Sequence, residues 1–311
     1  MKLVGGVETG GSWCVCAVGS CTGSITVSGR WPTTSPQETL SRIVEFFRRA
    51  PQVPVIGVGS FGPVDLDPHS PTWGEVLVTP KPGWSHASVG RVLERELGVK
   101  VLLETDVAAA ALGEHRWGAG EGIASLAYMT VGTGIGVGLL LHDQPWHGIT
   151  HPEVGHMRVP HDLSQDPFPG VCPYHGDCLE GLACGPALAA RWGRPAEQLE
   201  PEHPAWALEA QYIAAGLANV IFAVAPERII LGGGVTAQPR LLSLVREDLE
   251  ALLGNYLQSP ALDHGLTHYL VAPALGEKAG VLGAIALACR DTEQRPGSGE
   301  ALPALSEPSA R

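Results

Sequence analysis

The chain has 311 residues, 44% of them apolar, which is enough for a substantial core and points to two packed units rather than one. Lys and Arg number 20 against 32 Asp and Glu, a formal charge of −12 that disfavours nucleic acid as a partner but leaves room for a small phosphate ligand held by backbone N–H groups. No run of 18 uninterrupted apolar residues is present, and glycines and an acid arrive too early in MKLVGGVETGG for a signal peptide, so no membrane span is expected and a cytoplasmic protein is.

Leu3 to Val7 reads as a strand, Glu8-Thr9-Gly10-Gly11-Ser12 as a turn, and Trp13 to Val18 and Ser24 to Arg30 as further strands. Glycines at a hairpin tip let the backbone aim N–H groups at phosphate oxygens, so Gly10, Gly11 and Ser12 are a candidate phosphate cradle. Ser35 caps a helix that opens on Pro36 and runs to about Ala50. Val53 to Val58 is a strand ending in Gly59-Ser60-Phe61-Gly62-Pro63, a place where α/β proteins hold ligands, which makes Gly62 and Pro63 candidate substrate contacts. Asp65 to Pro82 is proline-rich and reads as an extended surface excursion. Lys81 and Trp84 beyond it are either ligand contacts or ordinary surface.

Ser85 to Leu97 is a predicted helix, Val101 to Leu103 a strand, and the alanine-rich run from Val107 a strong helix. Asp106, between strand and helix, fits a helix cap and a proton-accepting carboxylate equally well, with Thr105 beside it. Ser125 to Val131, Gly132-Thr133-Gly134 and Ile135 to Leu141 repeat the opening pattern of strand, glycine turn with a hydroxyl, and strand. Two such hairpins suggest a duplicated α/β unit with a nucleotide between the copies.

Residues 151 to 180 follow, with low apolar content and Cys172-x-x-His175-x-x-Cys178, a tight run of soft ligands. His156 is the nearest well-placed fourth ligand, and Glu153 and Glu180 flank the segment. A metal would supply order that burial cannot. Beyond it, Leu179 to Trp192 is a predicted helix, Arg194 to Pro204 a connector, and Trp206 to Val224 a long apolar core helix. Arg228 to Leu231 is a strand running into Gly232-Gly233-Gly234, where a flat group can lie against backbone. Leu241 to Leu253 is a helix, Leu270 to Ala272 a short strand, Ala279 to Cys289 a small-residue helix, and Asp291 to Arg311 a disordered tail. Cys14, Cys16, Cys21, Cys184 and Cys289 read as core thiols of a reducing compartment.

Taken in order, GGVETGGSW, SFGPVD, TPKPGW, ETDVAAAALGEHRWGAG, TVGTGIGVG, HPEVGHM, CPYHGDCLEGLACGPAL and LGGGV resemble the ROK sugar kinases, and within them the bacterial fructokinase branch, over roughly residues 3 to 290. The resemblance implies an α/β, actin/hexokinase-like (ribonuclease H-like) duplicated ATPase fold with an interdomain cleft. The expected domains are 1–117, with the helix 279–290 packing back on it, and 118–278 carrying the zinc loop 151–180, followed by a flexible tail 291–311.

The resemblance also implies roles. Asp106 matches the catalytic base; Glu153, His156 and Glu180, with Gly62, Pro63 and Thr105, match the sugar-binding set. His156 would share its ring between sugar and zinc, with Cys172, His175 and Cys178 as the other zinc ligands. Gly10, Gly11, Ser12, Gly132 and Thr133 match phosphate loops, and Gly233 and Gly234 the adenosine site. ATP, Mg²⁺ and a structural Zn²⁺ are the expected cofactors, with Glu8 the carboxylate nearest magnesium or, alternatively, a brace for its turn. A homodimer is expected. Glu8 in place of Asp, Thr105 in place of Asn and His175 in place of Cys point toward fructose over glucose or mannose. A sugar-binding regulator is the rival reading; intact Asp106 and the first strand at Leu3, with no DNA-binding domain before it, count against it.

Overall fold

The structure is a computed structural model that describes residues 2–259, 262 and 265–294. Two five-stranded sheets share one plan. The first is built from β1 (Leu3–Thr9), β2 (Trp13–Ser20), β3 (Ile25–Pro32), β4 (Val55–Ser60) and β5 (Lys100–Thr105), in the order β3-β2-β1-β4-β5. The second uses β6 (Leu126–Val131), β7 (Ile135–Leu141), β8 (Gln144–Pro145), β9 (Arg228–Gly232) and β10 (Leu270–Val271), in the order β10-β9-β6-β7-β8. In each sheet the first strand pairs antiparallel with its hairpin partner and parallel with a later strand reached by crossover. The duplication expected from the two glycine hairpins is therefore realised strand for strand.

Helices cover the sheets. α1 (Pro36–Arg49) begins as predicted, Ser35 accepting from the Glu38 N–H. α2 (Val89–Leu97) starts four residues later than predicted, because Ser85 to Ser88 are held by turns and a bridge to Glu75. α3 (Asp106–Trp117) follows β5 without a linker. The predicted helix from Leu179 to Trp192 is two, α4 (Leu179–Ala183) and α5 (Gly185–Trp192), broken at an extended Cys184. Pro186 cannot donate to the Leu182 carbonyl, which takes the Arg191 guanidinium at 2.8 Å instead. The break frees the Gly185 N–H to donate to Gly132 O at 2.7 Å, tying α5 to the second glycine turn.

α6 (Ala205–Val224) is long and apolar enough to span a membrane, but Trp206, Ile213, Leu217 and Ile221 are buried in the core beneath the second sheet, as expected of a core helix. α7 (Leu241–Leu253) has its predicted bounds. α8 (Ala279–Gln294) shares a core with Val4, Ala17 and Val55 of the first sheet through Val281, Leu282, Ile285 and Ala288. It also carries helix four residues into the predicted tail: Lys100 holds Asp291 and Arg116 holds Glu293, each at 2.5 Å. The rest of that tail, 295–311, lies outside the described residues.

One cysteine expectation fails. Cys14, Cys16 and Cys184 are buried free thiols, but Cys21 and Cys289 form a disulfide that ties the turn after β2 to α8. A partner 268 residues away is invisible to local reading.

Candidate active site and metal centre

Thr9, Ser60 and Thr105, the last residues of three parallel strands, lie in register. The chain therefore delivers Gly10, Phe61 and Asp106 side by side at the carboxyl edge of the sheet, where α/β folds place ligands. Thr105 is the true cap of α3, its hydroxyl accepting from Ala108 N at 3.1 Å. Asp106 is thus the first helical residue, with Oδ1 accepting from Val107 N at 2.9 Å. Burial pushes its carboxyl up to about 6, only partly opposed by that N–H.

Glu8, placed in a turn by sequence, is the penultimate residue of β1. Its carboxylate lies against the start of α8: it accepts from the Val281 N–H, and a side chain at Gly280 would overlap it. Burial and the neighbouring Asp106 charge raise it to about 7, and its buried Oε2 has no hydrogen-bond partner among the described residues.

The two hairpin tips meet. Ser12 Oγ lies 3.0 Å from Thr133 Oγ1. Thr33 braces the first tip through Gly10 O and Ser12 O. Behind the second tip, Glu180 Oε2 accepts from Ile135 N at 2.9 Å and occupies the space a side chain at Gly134 would need. Gly233, at φ 103° and packed against Val131, and Gly234, close to Gly132, extend this edge.

Glu153 opens a single 3-10 turn, Val154–His156, so its side chain and that of His156 are presented together. Desolvation raises Glu153 to about 7, and the charges of Glu180 and Asp106 add to the rise. His156 Nδ1 lies 3.7 Å from both Cys172 Sγ and Cys178 Sγ, and His175 Nδ1 lies 3.6 Å from Cys172 Sγ. A tetrahedral zinc with Zn–S of about 2.3 Å and Zn–N of about 2.0 Å requires S···N edges of about 3.5 Å. All four ligand atoms lie within 4.8 Å of one another. The cluster thus has the donor set and dimensions of a zinc-type structural site. Using Nδ1 for it leaves His156 Nε2 on the opposite side of the ring.

Other residues went unrecognised in the sequence. His151, nearly fully buried, accepts from Val64 N through Nε2 at 3.2 Å, which puts the ring hydrogen on Nδ1, 3.4 Å from Glu153 Oε1. It ties the loop after Gly62-Pro63 to the loop carrying Glu153. His147 Nε2 lies 2.9 Å from Glu104 Oε2, two residues before Asp106. Trp84, read as either a ligand contact or ordinary surface, is fully buried, edge-on to Phe61 at 4.9 Å and donating to Thr34 O at 2.7 Å. Only the proximity of Pro63 and Trp84 to glycines hinted that the excursion folds back onto the site.

Two matching five-stranded sheets whose hairpin tips meet, with a carboxylate at a strand-helix junction of the first, define an actin/hexokinase-like α/β fold. The ROK family signature matches residues 4–291, and the chain belongs to the ROK family. It is 40% identical over 295 residues to a fructokinase of Zymomonas mobilis, covering 92% of this chain and 96% of that one. It is 39% identical over 286 residues to a fructokinase of Pediococcus pentosaceus, covering 92% and 97%. A ROK family glucokinase from Streptomyces griseus, solved with glucose and AMPPNP, superposes with a TM-score of 0.74 at 27% identity, over 93% of this chain and all of that one. The activity class is ATP-dependent sugar phosphorylation.

Proposed function

We propose that the protein phosphorylates D-fructose at the 6-hydroxyl. Asp106 accepts the hydroxyl proton while that oxygen attacks the γ-phosphorus of ATP in line and the bond to the bridging oxygen breaks, releasing ADP; phosphoryl transfer asks chiefly for position and charge neutralisation. Glu153, Glu180 and His156 Nε2 hold the remaining hydroxyls, with Gly62, Pro63 and Thr105 on the facing wall. Gly10, Gly11, Ser12, Gly132 and Thr133 cradle the phosphates, and Gly233 and Gly234 line the adenosine. Mg²⁺ would supply charge neutralisation on the phosphates, with Glu8 the carboxylate that would lie nearest it. His156, Cys172, His175 and Cys178 would hold a structural zinc, whose role would be to fix the wall of the sugar site. The working unit is a cytoplasmic homodimer whose protomers each comprise domains 1–117, with the returning helix, and 118–278.

The observation that supports this reading is the register of Thr9, Ser60 and Thr105, which sets Gly10, Phe61 and Asp106 together at one sheet edge whose hairpin tip, Ser12, lies 3.0 Å from Thr133 of the second. The fructokinases of Zymomonas mobilis and Pediococcus pentosaceus support the choice of sugar. A coupled assay with ATP and fructose, mannose, glucose or N-acetylmannosamine, with and without Mg²⁺, tests it. Fructose should give the highest kcat/KM and only with Mg²⁺. Preference for glucose or mannose would move the substrate assignment, and sugar binding without turnover would make the protein a regulator.

A further inference from the structure

Lys81 sits where the phosphate and sugar parts of the cleft join. Its Nζ donates to Gly11 O at 2.5 Å, on the first hairpin tip, and lies 5.7 Å from the centre of the Phe61 ring, on the loop leading into Gly62-Pro63. The side chain is half-buried, and the Trp84 anchor three residues on fixes the segment that carries it. An ammonium has three donors, so two remain beyond the bond to Gly11. The space beside Gly11 is open, and Ser12 and Thr133 meet one residue away.

The acids placed near the two hairpin tips are Asp106, in register with Gly10 at the same sheet edge, and Glu180, behind the Thr133 turn. Arg30, the other cation near the hairpin, is paired with Glu277 and stacked on Trp13. A phosphoryl group crossing from the hairpin tips toward Asp106 would meet repulsion unless a cation stood at the junction.

We propose that Lys81 is that cation: it binds the transferred phosphoryl group as it passes to the sugar oxygen and stays on it in the sugar phosphate product. This rests on the hexose kinase reading of the cleft. No bond is made to Lys81; it contributes charge and two N–H donors. Burial alone lowers its pKa, and an arriving phosphate opposes that lowering.

The test compares wild type, Lys81→Gln and Lys81→Arg by titration calorimetry with fructose and, separately, with fructose 6-phosphate, alongside turnover. Lys81→Gln should leave fructose affinity within about twofold while weakening fructose 6-phosphate by about tenfold or more, the size of one lost charge-assisted hydrogen bond. Its kcat should fall by a similar factor, with partial recovery in Lys81→Arg. Equal loss for both ligands would make Lys81 structural, and no loss for either would make it surface; both overturn the proposal. Wild type that fails to phosphorylate any hexose would instead sink the kinase reading, an outcome separable from these.

Discussion

The two sheets have the same strand order, yet their corresponding strand ends carry different chemistry. In the first, β1, β4 and β5 end at Gly10-Gly11-Ser12, Phe61-Gly62-Pro63 and Asp106. In the second, β6, β9 and β10 end at Gly132-Thr133-Gly134, Gly233-Gly234 and Ala272-Pro273. Only the hairpin tips are alike, and those are the pair that meet. The first half places the Asp106 carboxylate on a strand-helix junction, ordered by a backbone bond and burial. The second half carries Glu153 beside the turn that presents His156 of the His₂Cys₂ cluster, and Glu180 on α4 directly after Cys178 of that cluster. Under the proposed function, the duplicated scaffold would keep phosphate binding twofold while one copy serves proton transfer and the other sugar recognition.

That division can be broken from either side. The largest effect is expected on the first half: Asp106→Asn should cut kcat by ~100-fold or more, the range for a positioned general base, with fructose still bound. Near-normal turnover would remove Asp106 from the role. On the second half, Cys172→Ser or chelation should weaken fructose binding by about tenfold or more while ATP affinity changes little, since misplacing a positioning group alone can cost ~10²-fold in rate. Metal content and both affinities, measured on the same samples, decide it; equal losses would refute a sugar-specific role for the clasp.

The pH profile sharpens the comparison. Asp106 must be ionised to accept a proton, and burial holds it near 6. Activity should therefore be present above that pH and fall as pH drops through it, whereas a carboxylate at its ordinary value would hold activity to about pH 4. The smallest effect belongs to the link between the halves: His151→Ala should raise KM for fructose a few-fold and leave KM for ATP unchanged, because it acts through Glu153. An equal change in both would make His151 a fold element only.

Much of this was legible in the sequence because it is local. The hairpin tips, the strand-helix junction at Asp106 and the Cys-His-Cys spacing each declare themselves within a dozen residues. The misses share a different cause. The break at Cys184 goes with Pro186, but the bond that the freed N–H makes is to Gly132, some fifty residues earlier in the chain. Trp84 is buried only because the 65–82 segment folds back through bridges such as Val64 to Val76. His151, Lys81 and the Cys21–Cys289 pair gain meaning from partners on distant segments. Periodicity and turn chemistry carry no information on such pairings.

The central claim is that one hexose lies between the strand-end carboxylate and the metal-ordered loop. A crystal structure with fructose and a non-hydrolysable ATP analogue tests it directly. The 6-hydroxyl should lie within hydrogen-bond reach of Asp106, about 2.6–3.2 Å, with other hydroxyls on Glu153, Glu180 and His156 Nε2. A sugar bound away from Asp106, or touching only one of the two halves, would contradict it.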